Sequence, residues 1–203
     1  MKLYYSPGTC SLATHIALLE AGLPFELERV DFASKRTEKG TDYLAINPKG
    51  YVPSLQLDSG EILTEAQVIL QYIAEAKPEA RLAPTGSTVA RFRVLEMLNF
   101  ISTELHKQFG PLFRPNTPKE TADFQVELIG KRIAWLEPRL AGSSYVASDA
   151  FGIADMYLFT ILNWALRLKM DLSQWPNVRA YMGRIAERPS ALAAMRREGL
   201  IPA

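Results

Sequence analysis

The sequence holds one cysteine, Cys10, and two histidines, His15 and His106, among 203 residues. A single cysteine excludes an intramolecular disulfide framework. The Cys-x-x-Cys pair of dithiol exchange is missing too, so any disulfide here must form with an external thiol. No metal site is expected. Excess charge of either sign is also lacking: 23 basic and 22 acidic residues leave a net +1. No basic block of the kind that tracks phosphate backbones is present, so nucleic acid is not an expected partner and small molecules are. No apolar run approaches the roughly 18 residues of a membrane span. The apolar stretch within Met1-Lys2-Leu3-Tyr4-Tyr5-Ser6-Pro7 is too short for a signal peptide. A cytoplasmic protein with no membrane partner is the expectation.

What is present is enough for a sizeable core: 48% hydrophobic residues and no long low-complexity tract, which suits one large domain or two small ones. Up to about residue 76 the pattern changes every few residues. Short β-rich runs fall at Leu3 to Tyr5, Phe25 to Val30, Val52 to Leu57 and Glu61 to Leu63. A helical stretch from Ser11 to Ala21 closes at Gly22, and Asp58-Ser59-Gly60 is a hairpin turn. The order is β-α-β, a helix, then β-β-α. Thr64 and Gln67 have capping-box spacing and predict a helix starting at Thr64. Residues Lys77 to Ser87, rich in Pro, Gly and small side chains, read as a linker. Beyond it the spacing predicts helices over Thr88 to Phe109, Pro118 to Leu140, Gly152 to Lys169, Trp175 to Glu187 and Ser190 to Glu198, the second capped by Thr117 and Glu120 around Pro118. The expected boundaries are 1–80 for an α/β domain and 88–203 for an all-α domain.

Cys10 lies in Ser6-Pro7-Gly8-Thr9-Cys10-Ser11, where the first strand turns into a helix. Unpaired N–H groups and the positive end of the dipole at a helix start lower a thiol pKa, so the position suits a reactive thiol, while a lone cysteine also suits a small buried hydrophobe. His15, five residues on, reads as structural or surface. The N–H groups of Glu65 and Ala66 suit either a bound carboxylate or a plain capped helix. In Asn47-Pro48-Lys49-Gly50-Tyr51-Val52-Pro53, a cis Val52-Pro53 bond would turn the Val52 backbone outward to a peptide-like ligand, and a trans proline would simply begin the strand. On the long helix after the linker, a 100° wheel groups Glu96, Asn99, Thr103, His106 and Lys107 opposite Val94, Leu98, Ile101 and Leu105. That polar arc is either a wet face or a row facing an anionic ligand.

These motifs together, with Leu63-Thr64-Glu65, Leu98-Asn99-Phe100, Glu104-Leu105-His106-Lys107 and Ala154-Asp155-Met156-Tyr157-Leu158-Phe159, resemble bacterial beta-class glutathione transferases over essentially the whole chain. The resemblance implies a thioredoxin-like N-terminal domain, an all-α C-terminal domain, a homodimer and glutathione as co-substrate. It implies that Cys10 faces the glutathione sulfur, and that Val52, beside a cis Pro53, pairs with the cysteinyl backbone. Glu65 and Ala66 would hold the γ-glutamyl end and Lys35 would approach the glycine carboxylate. His106, as a catalytic group, and Lys107 would face the sulfur, with Asn99, Thr103, Glu104 and Leu105 completing the pocket. Two departures stand out: Ala66 has no hydroxyl where serine is common, and Gly152 stands where Ser or Thr caps a helix, at a cost of only a few tenths of a kcal/mol.

The function so implied is conjugation of glutathione to a hydrophobic electrophile, with Ser11 or His106 as further donors and Phe109, Phe113 and Trp164 as apolar residues near it; Trp164 suits pocket wall or core equally. The alternative reaction on the same fold is a thiol transferase, peroxidase or reductive dehalogenase working through a Cys10 mixed disulfide. A third reading is a non-enzymatic ligand-binding or regulatory protein.

Overall fold

The computed structural model describes residues 1–202, which fall into two compact units. The first comprises Met1–Thr85 together with the segment from Glu187 onward, and the second Gly86–Ala186.

In the first unit, β1 (Lys2–Tyr5) leads through a short loop to α1 (Ser11–Ala21) and β2 (Glu26–Asp31). Then come β3 (Arg36–Thr37), α2 (Tyr43–Ile46), β4 (Ser54–Gln56), β5 (Ile62–Thr64) and α3 (Ala66–Ala76). The sheet order is β3-β2-β1-β4-β5, with β1 parallel to β2 and antiparallel to β4. Helix α1 ends where expected because Gly22 takes the left-handed φ of +64° that closes a helix at no steric cost. The hairpin at Asp58-Ser59-Gly60 joins β4 to β5, with the Leu57 amide donating to the Glu61 carbonyl at 2.9 Å.

Three sequence expectations change here. The short β3 was not foreseen, since two residues carry no readable alternation. Val52 and Pro53 precede β4, so the proline interrupts no ladder. Helix α3 starts at Ala66 instead of Thr64, and no capping box forms: Thr64 belongs to β5 and its hydroxyl accepts a bond from the Lys49 ammonium at 2.9 Å.

The second unit is helical: α4 (Val89–Phe100), a wide π-helical stretch at Ile101–His106, α5 (Lys107–Phe109), a 3-10 turn at Gly110–Phe113, α6 (Lys119–Ala141), α7 (Ile153–Arg167) and α8 (Pro176–Ala186). Thr88 caps α4 through its hydroxyl, which accepts the Arg91 amide. Thr117 does not cap α6, because its hydroxyl donates to the Pro111 carbonyl at 2.6 Å, and Pro118 lies outside the helix. Helix α7 is buried at every residue from Ile153 to Leu162 and packs on α4 and α8. At its start the Asp155 carboxylate accepts the amides of Gly152 at 3.0 Å and Val146 at 2.8 Å, so a carboxylate three residues on offsets the absent cap side chain at Gly152.

The last helix, α9 (Pro189–Arg197), corrects the expected 88–203 boundary, because it packs on α1 in the first unit. The cause is α1 itself, which buries every residue from Ser11 to Leu18, polar ones included. A helix apolar only along one stripe needs one neighbour; one buried all round needs several, and α3 and α9 both pack on it.

Burial pushes Asp155 up to about 6, against the pull of the Val146 and Gly152 amides and the Tyr181 hydroxyl. The folded chain therefore holds a proton that the unfolded chain releases at the ordinary carboxylate value. This contribution to stability is full below about pH 4 and lost as the pH rises through about 6, a span worth about 3 kcal/mol. Urea unfolding of the wild type and Asp155→Asn from pH 4 to 7 is expected to show the wild type losing ground to the variant across that window; a constant difference would contradict it.

Candidate functional site

The loop before Cys10 is held by its own hydroxyls. The Thr9 hydroxyl donates to the Ser6 carbonyl at 2.8 Å, and the Ser11 hydroxyl, fully buried, bonds the Ser6 carbonyl and accepts the Ser6 amide. Ser11 is thereby committed to the fold. Gly8, at φ +68°, gives its amide to the Glu198 carboxylate at 2.9 Å, and the other oxygen of Glu198 lies 2.9 Å from His15 Nδ1. His15 is wholly buried between Tyr5 and Phe25, so the structural reading of this histidine holds. Sequence reasoning missed Glu198, which lies 190 residues from Gly8 with no local signal.

Cys10 flanks α1 and is half-buried, and its thiol donates to the Val52 carbonyl at 3.2 Å. Burial pushes the thiol up to about 12, with the Glu65 carboxylate adding to the rise. The backbone amides of Cys10 and Ser11 pull the other way and are outweighed. The expectation of a lowered pKa is reversed: two N–H groups at a helix start do not match the cost of a thiolate removed from water. Cys10 is a hydrogen-bond donor.

The Val52-Pro53 bond is cis, and Val52 is buried. Its segment is braced from α2: the Tyr43 hydroxyl donates to the Tyr51 carbonyl at 2.8 Å, and the Asn47 amide reaches the same carbonyl at 2.8 Å and Ser54 Oγ at 3.1 Å. Lys35, at φ +54°, donates to the Gly50 carbonyl at 3.0 Å. Gly50 is required at φ +67°, where a Cβ would come within 3.1 Å of Leu44. Glu65 adopts φ +69° and ψ 115°, an uncommon backbone for a residue with a side chain, which costs on the order of 1–3 kcal/mol. Its carboxylate pairs with Lys49 at 2.7 Å. Ala66 opens α3, where the amides of Ala66 and Gln67 have no intrahelical acceptor and that of Val68 bonds the Glu65 carbonyl at 3.0 Å.

The remaining candidates lie in the second unit. Asn99 and Thr103 are exposed and joined by a 3.0 Å bond from the Thr103 hydroxyl to the Asn99 carbonyl; Lys107 is exposed too. Glu104 pairs with Arg132 at 2.6 Å. Leu105 is wholly buried, so its side chain is core. His106 is half-buried, with Nδ1 2.7 Å from the Tyr157 hydroxyl and its ring edge-on to Trp164 at 4.8 Å. The single polar arc is not kept. Wide π-helical turns advance each residue by less than 100°, and Glu96 turns to Arg93 instead. Phe109 is core, Trp164 is buried, and Phe113 is 42% exposed.

The family model described as glutathione S-transferase, N-terminal domain, matches residues 8–76, and that of the C-terminal domain matches residues 100–189. The chain belongs to the glutathione S-transferase family. Glutathione S-transferase GstA of Escherichia coli O157:H7 is 45% identical over 200 residues, spanning 98% of this chain and all of that protein. Two solved glutathione S-transferases are each 46% identical with a TM-score of 0.96 and cover 99% of this chain and 100% of theirs. One is the bacterial beta-class enzyme of Sphingomonas chungbukensis and the other a sphingomonad protein complexed with glutathione. The first unit of this transferase thus carries the thioredoxin-like sheet, and the second the helices. Among the described residues no helix is long and apolar enough to cross a membrane.

Two outcomes test this transferase's Cys10 loop. At pH 7.5 iodoacetamide is expected to alkylate Cys10 at least about tenfold more slowly in the native chain than in the urea-unfolded chain, whose thiol ionises near pKa 8.5; equal rates would refute the raised pKa. Glu198→Ala withdraws the acceptor from Gly8 and His15 and is expected to lower the unfolding free energy by about 2–4 kcal/mol, and Glu198→Gln by less. Chemical denaturation of both variants measures it.

Proposed function

We propose that this chain conjugates glutathione to hydrophobic, chiefly aromatic electrophiles, with Cys10 as a donor to the glutathione sulfur. The observation that carries the reading is the Cys10 thiol aimed at the Val52 carbonyl at 3.2 Å beside the cis Pro53, with burial favouring its protonated form. A tripeptide anion needs an extended backbone partner, a helix N-terminus and cations. Val52 supplies the first to the cysteinyl unit of glutathione. The first-turn amides of α3 supply the second to the α-carboxylate of the γ-glutamyl end, whose ammonium falls to Glu65. Lys35 answers the glycine carboxylate.

Glutathione, with a thiol near pKa 8.5, is only a few per cent ionised at neutral pH. A donated S–H favours the ionised sulfur, and each unit of depression corresponds to about 1.4 kcal/mol. His106, oriented by Tyr157, is the second donor and proton-handling group, with Asn99, Thr103, Glu104 and Lys107 as polar company. A homodimer in the cytoplasm belongs to the same reading, supported by exposed Val89 and Phe92 on α4 and exposed Phe124 and Trp135 on α6.

Titration calorimetry is expected to show glutathione binding to the wild type and to Cys10→Ala alike. Loss of one donor to a charged sulfur is expected to slow conjugation of 1-chloro-2,4-dinitrobenzene by about tenfold. Complete loss of conjugation with binding retained would make Cys10 covalently essential and overturn the donor role. No binding at millimolar glutathione would overturn the function.

A further inference from the structure

We propose that the helical unit of this transferase favours aromatic electrophiles that carry a carboxylate, and that Arg167 is the residue that reads the charge. The inference deepens the conjugation reading and rests on it for the reaction, though not for the binding.

The aromatic side chains form a graded series on one indole. Trp164 meets Phe109 edge-on at 5.8 Å, His106 edge-on at 4.8 Å and Phe113 edge-on at 5.4 Å. Phe109 is wholly buried, Trp164 is 7% exposed and Phe113 is 42% exposed. The series therefore runs from core to solvent and passes the histidine that handles the proton. Three residues along α7 from Trp164, on the same face, Arg167 stands over the Phe113 ring with its guanidinium carbon 5.8 Å from the centroid.

Arg167 shares its lack of a carboxylate partner among the described residues with Arg114, Arg139 and Arg179, so what marks it is its place over the exposed Phe113 ring, three residues from Trp164. The two segments that carry the patch are also basic in balance: residues 105–118 and 156–170 hold Lys107, Arg114, Arg167 and Lys169 and no Asp or Glu, with Glu104, Asp155 and Asp171 at their margins. A cation in the last turn of α7 suits the helix dipole, which accounts for the charge but not for the exposed phenyl ring beneath it. A flat, electron-poor ring lying on Phe113 would bring a ring carboxylate to the planar, weakly hydrated guanidinium.

The reaction served is substitution at an activated aryl halide. The glutathione thiol gives up its proton, the sulfur attacks the ring carbon bearing chlorine, the C–S bond forms, and chloride leaves with the C–Cl bonding pair.

The test compares wild type, Arg167→Gln and Arg167→Lys, exposed helix substitutions that keep helix propensity. Binding of 3,5-dinitrobenzoate and of neutral 1,3-dinitrobenzene is measured by calorimetry without glutathione. Conjugation is measured with 4-chloro-3,5-dinitrobenzoate and neutral 1-chloro-2,4-dinitrobenzene. In Arg167→Gln, affinity and kcat/KM for the two anions are expected to fall by about tenfold, the scale of one charge-assisted contact, with the neutral compounds changed by less than about twofold and Arg167→Lys in between. Equal losses for anion and neutral, or no loss for the anions, overturn the proposal. If neither chloride is conjugated yet the anion binds selectively and Arg167→Gln abolishes that selectivity, the proposal stands and the conjugation reading falls.

Discussion

The Glu198 carboxylate, wholly buried, accepts the Gly8 amide with one oxygen and meets His15 with the other, and the path of the chain into Cys10 depends on it. Helix α1 has no wet face, so its polar groups look for partners inside the protein, although the Thr14 hydroxyl and His15 Nε2 are buried without one among the described residues. Ser11 finds one in the Ser6 backbone, Glu20 in Arg188 and Ser190, and His15 in Glu198. The last two partnerships recruit the final helix of the chain, which is why a stretch that reads as one more helix of an all-α domain belongs to the sheet-bearing unit. Burial of one helix thus sets both a domain boundary and the shape of the loop that leads into Cys10.

The same burial decides what the cysteine can do. A helix start offers amides and a dipole, effects of order 1 kcal/mol, but a thiolate withdrawn from water loses several times that unless it is paired. Glu65 adds negative charge nearby. The balance leaves Cys10 as a thiol, and a thiol can donate. In the proposed conjugation the sulfur to be ionised is that of glutathione, and a protonated cysteine would stabilise its charge without competing for it. The Val52 carbonyl accepts the Cys10 thiol, and the Glu65 carboxylate and the first amides of α3 follow β5 in the same unit.

In the helical unit the wide turns at Ile101–His106 move His106 out of line with the exposed residues that precede it and turn it toward Tyr157 and Trp164. Hydrogen bonding to a buried tyrosine fixes the ring, and contact with the indole joins it to the aromatic series ending at Phe113. On the proposed reading, proton handling and electrophile recognition share this one patch of side chains, with the Arg167 guanidinium over its exposed ring.

Much of this was legible in the residues themselves. Alternation, the glycine at position 22, the hairpin glycine and the proline-rich linker located the strands and helices, since each acts through nearest neighbours along the chain. The order of motifs from Ser6-Pro7-Gly8-Thr9-Cys10 to Ala154-Asp155 identified the family, and Lys35, Val52, Glu65 and His106 as its candidates. What the sequence could not decide were quantities set by distant parts of the chain: the start of α3, where Lys49 takes up Thr64; the phase of the helix through the π-helical turns; the core placement of Leu105 and Phe109; and the protonation of Cys10. Local pattern determines which groups are available and in what order, whereas burial determines their charge and orientation, because desolvation depends on what the rest of the fold places around them.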